Sequence, residues 1–131
     1  MRIAEFRASL RTFLRQSERV SRQWGLTPRR YLLLLLIKGA PDGTARMSLT
    51  DLSERLKLSK NTVSELCNRA EEIGLIEREG SADDGRVVFF KLTAVGNRRL
   101  AGALADSDPY RREVLAGFES LLQTFRAASS S

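Results

Sequence analysis

The stretch from Ser48 to Gly74, Ser48-Leu49-Thr50-Asp51-Leu52-Ser53-Glu54-Arg55-Leu56-Lys57-Leu58-Ser59-Lys60-Asn61-Thr62-Val63-Ser64-Glu65-Leu66-Cys67-Asn68-Arg69-Ala70-Glu71-Glu72-Ile73-Gly74, reads as two short helices joined by a tight turn. Ser48 stands three residues ahead of Asp51, a cap signature, and Leu49, Leu52 and Leu56 then share one helical face. After a break at Lys57-Leu58, Ser59 is placed to cap a second helix running to Ile73. Gly74 ends it, since Gly adopts the left-handed conformation at little cost. At about 100° per residue, Val63, Leu66, Cys67, Ala70 and Ile73 of the second helix fall on one side, the predicted core face. The opposite side carries Asn61, Ser64, Glu65 and Asn68, with Lys60 at the N-terminal end and Thr62 and Arg69 on the flank. Short hydrogen-bonding side chains of this kind suit base-edge and phosphate contacts, although a plain solvated face carries the same pattern. The plan is that of a helix-turn-helix, which sets its second helix into a DNA major groove.

The residues downstream favour the DNA reading. Leu75-Ile76-Glu77-Arg78-Glu79 alternates like a half-buried strand, and Val87-Val88-Phe89-Phe90-Lys91-Leu92 is a second, more apolar one. Between them, Gly80-Ser81-Ala82-Asp83-Asp84-Gly85-Arg86 is dense in turn formers and places Arg86 at the hairpin tip. A hairpin directly after a recognition helix is a wing, able to drop an Arg into the adjacent minor groove. Asp84 is close enough in sequence to accept from the Arg86 guanidinium and hold it extended.

Several runs together resemble the MarR family of bacterial transcriptional regulators: Trp24-Gly25-Leu26-Thr27-Pro28-Arg29-Arg30-Tyr31, Leu58-Ser59-Lys60-Asn61-Thr62-Val63-Ser64-Glu65-Leu66, Gly74-Leu75-Ile76-Glu77-Arg78, and the wing from Asp83 to Thr93. The resemblance covers nearly the whole chain, and the Asp-x-Arg wing ending in Leu92-Thr93 is its most specific part. It implies an obligate homodimer with a winged helix-turn-helix on each subunit, bound to a pseudo-palindromic site on double-stranded DNA. It also implies a small aromatic or phenolic effector between the DNA lobe and the dimer helices. Glu65 departs from the family pattern, in which that groove-facing position is commonly basic or neutral. A carboxylate there either accepts from a cytosine amino group or opposes the phosphates.

Composition is compatible with this reading. The 131 residues, 42% hydrophobic, suit one domain with a modest core. The longest apolar run, Tyr31 to Ile37, is too short to span a membrane, and no secretory signal is evident. A single cysteine suits a reducing cytoplasm, the expected location. The net charge of +6 is concentrated: residues 1–30 hold eight Arg against two Glu, and residues 31–131 balance fourteen basic with fourteen acidic residues. Arg7, Arg11, Arg15, Arg19 and Arg22 form one stripe, either a solvated face or, with Arg29 and Arg30, a contact to flanking phosphates.

The two ends carry the dimer argument. Ile3, Phe6, Leu10, Phe13, Val20 and Trp24 recur at three- and four-residue spacing, broken only at Ser17. Val114, Leu115, Phe118, Leu121, Leu122 and Phe125 mark a last amphipathic helix after Pro109. A winged helix-turn-helix is already a closed unit, so these helices must pack on each other, on a partner, or both. Two recognition helices on a two-fold axis then match two half-sites. The expected fold is mostly α with a small β-hairpin wing (α+β), a winged helix-turn-helix with N- and C-terminal dimerisation helices. Residues 1–131 form a single domain, with 1–38 and 106–128 as dimerisation helices and 46–93 as the reading head. Helices are expected from 2 to 23, from Pro28 to Lys38 (apolar on almost every side, so buried) and from Ala94 to Ala105. A break follows at Asp106-Ser107-Asp108-Pro109, and the longest loop runs from Gly39 to Arg46.

No catalytic residue, cofactor or metal is expected. The chain has no His, no Gly-rich phosphate loop, and one Cys on a core face without an activating base. Cys67 is read as structural; the resemblance extends to oxidant-sensing relatives, which carry their cysteine in the first helix. An effector pocket is expected where the first two helices meet the fifth, with Trp24 and Tyr31 as walls and Arg22 or Arg30 pairing with a carboxylate or phenolate; plain core roles for both aromatics stay open. The competing function is a winged-helix module for protein contacts, whose mark would be an apolar outer face on the second helix and a wing without Arg.

Overall fold

Local capping chemistry sets most element boundaries. In the computed structural model, which describes residues 2–80 and 87–130, the elements are α1 (Arg2–Gln23), α2 (Pro28–Lys38), β1 (Arg46–Ser48), α3 (Leu49–Leu56), α4 (Lys60–Glu72), β2 (Ile76–Gly80), β3 (Val88–Leu92) and α5 (Ala94–Ser130). Thr27, Ser48 and Ser59 each accept a backbone N–H three residues on, from Arg30, Asp51 and Thr62, and so begin α2, α3 and α4. Lys57 takes a left-handed conformation (φ 56°) to turn the chain between α3 and α4, and the Ser53 hydroxyl locks that turn by donating to the Leu58 carbonyl at 2.6 Å.

The sheet is antiparallel in the order β1-β3-β2, with Met47 opposite Phe90 and Arg78 also opposite Phe90. β1 was not anticipated. Three residues are too few for an alternation signal, and Arg46–Ser48 is a strand only because β3 supplies its partner. The core runs from α2 (Leu33, Leu34, Ile37) through Leu52, Val63, Cys67 and Ala70 to Ile76, Phe90, Leu92 and Leu100. Among the described residues no helix is long and apolar enough to cross a membrane.

Three expectations need correction. First, the break at 106–109 and the separate last helix are replaced by one helix, α5, with Pro109 inside it. An interior Pro loses one helical hydrogen bond and costs about 3 kcal/mol in isolation. Here tertiary contacts hold the segment in register. The Trp24 indole, just past the end of α1, donates to Asp106 Oδ2 at 2.7 Å, and Ser107 is buried. Asp108 takes Arg111 at 2.8 Å and Arg112 at 2.7 Å, pairs three and four residues along that only a continuous helix aligns. Second, Ile73 is not a core residue but 45% exposed, because it is the C-cap, where the chain has already left the α4 spiral. Third, α2 is not buried all round: Leu32 is 46% exposed.

The seam on α1 also divides. Phe6, Phe13 and Trp24 are half-buried and Val20 is buried, with the Phe6 and Phe118 rings 5.7 Å apart, whereas Ile3 and Leu10 stay exposed. At the other end of α5, Gly96 packs so closely that a Cβ would overlap the Leu75 carbonyl oxygen. Gly96→Ala, which in an open helix would stabilise by about 1 kcal/mol, is therefore expected to destabilise by roughly 2–4 kcal/mol. A denaturant midpoint at or above that of the wild type would contradict this packing.

Candidate nucleic-acid interface

α4 presents two faces that follow from its sequence. Val63, Cys67 and Ala70 are fully buried, so the side opposite them is fixed outward. That side carries Asn61, Glu65, Asn68 and Arg69 exposed, with Lys60 and Ser59 exposed at its N-terminus. Thr62 and Ser64 are half-buried on the flanks. The Ser59 hydroxyl is occupied as the cap, accepting from Thr62 N at 3.2 Å and lying 2.9 Å from Thr62 Oγ1. Those two residues therefore shape the helix start. Asp84 and Arg86 lie outside the described residues.

The hairpin is bound to α4 by a side chain that sequence reasoning missed. Arg78 on β2 donates from Nε to Glu71 Oε1 at 3.1 Å and from Nη2 to Asn68 Oδ1 at 2.6 Å. Its guanidinium carbon lies 5.3 Å from the Phe90 ring centroid. A signal was available: strand alternation puts Arg78 on the same side as the buried Ile76, where an Arg needs a partner. On the other face Arg46 lies 4.5 Å from the Phe89 centroid and 3.8 Å from Glu79, and Lys91 pairs with Glu77 at 3.6 Å.

At the helix junction the structure brings Trp24, but not its expected companions, to an open groove. The lining is Gln23, Trp24, Gly25, Val95, Arg98 and Arg99; Arg22, Arg30 and Tyr31 do not contribute. Tyr31 packs against the core instead. The Trp24 ring leans on Gly102, where a Cβ would overlap it. Arg7, Arg11, Arg15, Arg19 and Arg22 are all exposed along α1. No three His, Cys, Asp or Glu side chains among the described residues could hold a metal ion together.

Residues 24–87 match the model of the MarR family. Over that region the chain is similar to the MarR family. Solved structures similar to it include AbsC, a MarR family transcriptional regulator from Streptomyces coelicolor, at 25% identity over 92% of this chain and 82% of that one, with a TM-score of 0.71. An S. aureus MepR mutant bound to an oligodeoxyribonucleotide is similar at 19% identity, 99% and 97% coverage and a TM-score of 0.74. An E. coli MarR mutant complexed with operator DNA is similar at 18% identity, 94% of both chains and a TM-score of 0.64. No curated protein sequence matches the chain. In this fold, α4 and the β2–β3 hairpin are the recognition helix and wing of a winged helix-turn-helix.

Cys67, on the buried side of the recognition helix, has its thiol pushed up to about 11, chiefly by burial, with the nearby Arg78 charge opposing and Glu71 reinforcing the shift. The raised folded-state value means the thiol is protonated in both states below the unfolded value of 9.0. Above that value the unfolded chain loses its proton first, so stability drops as pH rises from 9.0 to about 11. Denaturation curves of wild type and Cys67→Ala should therefore converge across that window. Native protein should also react with a thiol-specific disulfide reagent at pH 8 at least about tenfold more slowly than unfolded protein. Equal reactivity would place the thiol outside the core.

Proposed function

We propose that this protein is a regulator of transcription of the MarR family that binds double-stranded DNA sequence-specifically as a homodimer and represses by occupying a pseudo-palindromic operator. The observation that carries the reading is the outward face of α4, with Asn61, Glu65, Asn68 and Arg69 on a capped helix bound to a hairpin wing. The similar folds of MepR with an oligodeoxyribonucleotide and MarR with operator DNA support it. Ser59, Lys60, Thr62 and Ser64 then supply backbone contacts and helix placement, and Arg86, steadied by Asp84, enters the minor groove. Glu65 selects a cytosine amino group where it meets one.

Residues 46–93 act as the reading head, and residues 1–38 and 106–128 hold the dimer. The apolar side chains left in water at those ends support a second copy as their cover: Ile3, Leu10 and Leu14 on α1, and Leu115, Phe118 and Phe125 on α5. A small aromatic or phenolic acid would release DNA by favouring another spacing of the two recognition helices. The Trp24 groove offers it an aromatic wall and two guanidinium groups, Arg98 and Arg99, in place of Arg22 and Arg30. The regulator works in the cytoplasm, where its DNA is.

Two measurements test this. In mobility shifts on operators selected from random duplexes, Arg86→Ala should weaken binding to all sequences and lower the salt slope by about one. Asn61→Ala should instead change the ranking of operator variants by roughly 1–3 kcal/mol at one base pair. Equal losses on every sequence from both changes would refute this division of labour. Wild-type protein should sediment as a dimer at micromolar concentration, and the exposed Leu14→Glu with Leu115→Glu should give folded monomers. A monomeric wild type would refute the dimer.

A further inference from the structure

We propose that Arg78 is a positioning residue that decides what Asn68 can read: it holds the amide oxygen against the wing, so that Asn68 meets a base as a hydrogen-bond donor through its amide nitrogen. The inference rests on α4 being the base-reading helix. A guanidinium carries only donors, so the end of the Asn68 amide that meets Arg78 Nη2 at 2.6 Å must be the oxygen. The guanidinium is held on two further sides. Glu71 accepts from its Nε at 3.1 Å, and the Phe90 ring lies 5.3 Å beneath its central carbon. Both supports, on α4 and β3, belong to elements that pack with the β2 strand carrying Arg78, so the amide is oriented before any DNA arrives.

Orientation determines specificity because an Asn amide recognises adenine with both ends at once, its oxygen accepting from N6 and its nitrogen donating to N7. The oxygen keeps a second lone pair, but Arg78 fixes the direction in which it points, so the two-point adenine contact is disfavoured relative to contacts through the nitrogen. The nitrogen suits bases that present acceptors without an adjoining donor: guanine through O6 and N7, or thymine through O4. Cytosine, which presents an amino donor, is the poorest match. Asn68 is thus expected to favour guanine or thymine, and the preference belongs to the pair Asn68–Arg78 rather than to Asn68 alone.

The test compares motifs enriched from random duplexes by wild type, Asn68→Asp, Arg78→Lys and Arg78→Met, each checked for native folding by thermal unfolding. One base-pair position should favour guanine or thymine over adenine for the wild type. Asn68→Asp keeps an acceptor for Arg78 but has no N–H, and should lose that preference by about tenfold. Arg78→Met releases the amide, so adenine should gain about tenfold relative to guanine or thymine at that position. Arg78→Lys keeps the charge without the planar fork and should shift the ranking in the same direction. If Arg78→Met fails to fold, Arg78→Lys carries the same comparison. In DNA-free protein, the Asn68 side-chain amide resonances should move and exchange faster in Arg78→Lys. A wild-type motif that persists unchanged in both Arg78 variants, merely bound more weakly, would overturn the inference and leave the DNA reading standing. Enrichment of no motif by the wild type would overturn both.

Discussion

The structure depends on one junction, where the end of α4, the end of β3 and the start of α5 share hydrogen bonds. Gly74 turns the chain out of α4 with φ at 80°, and Leu75 N donates back to the Ala70 carbonyl at 2.9 Å. Thr93 then binds that turn from two sides: its N–H donates to the Leu75 carbonyl at 3.0 Å, and its hydroxyl donates to the Gly74 carbonyl. The same hydroxyl accepts from Gly96 N at 3.1 Å, beginning α5. Because Gly96 has no Cβ, the first turn of α5 can lie against the Leu75 carbonyl. One threonine therefore ties the turn after the recognition helix to the end of β3 and to the first turn of the long helix. α5 is thus joined to the turn that follows α4 through bonded contacts rather than through a flexible linker.

Elements with local causes were legible in the sequence. The caps Thr27, Ser48 and Ser59, and the turn at Gly74, act on backbone groups within a few residues, so α2, α3, α4 and the start of the wing could be read directly. Features with non-local causes were not. β1 exists through its pairing with β3, and α5 is tied just ahead of Pro109 by Trp24, which is 82 residues from the Asp106 it binds. Ile73 shows the same limit on a smaller scale: a helical wheel extends past the last helical residue, but the chain does not.

The candidate site divides along similar lines. The exposed positions of Asn61, Glu65, Asn68 and Arg69 follow from the burial of Val63, Cys67 and Ala70, which periodicity alone predicts. What those side chains touch does not follow from periodicity. Asn68 looked like an independent reader until the strand opposite it was in place, and Arg22 and Arg30 looked nearer to Trp24 than the fold puts them. Arg98 and Arg99, more than seventy residues further along, reach that aromatic ring's groove because α5 starts beside the end of α1.

The wing and the recognition helix are joined by charge and hydrogen bonds rather than by apolar packing alone. Arg78 is 45% exposed, so its pairing with Glu71 is screened and adds little to folding stability. Its value lies in geometry. A planar guanidinium bonded to two residues one helical turn apart ties the hairpin to α4 in one orientation. An apolar residue in the same place would bury more area but would leave that orientation and the Asn68 amide unspecified. The network is weak as a source of stability and strong as a source of orientation, which is the property a reading head needs from the side chains behind its reading face.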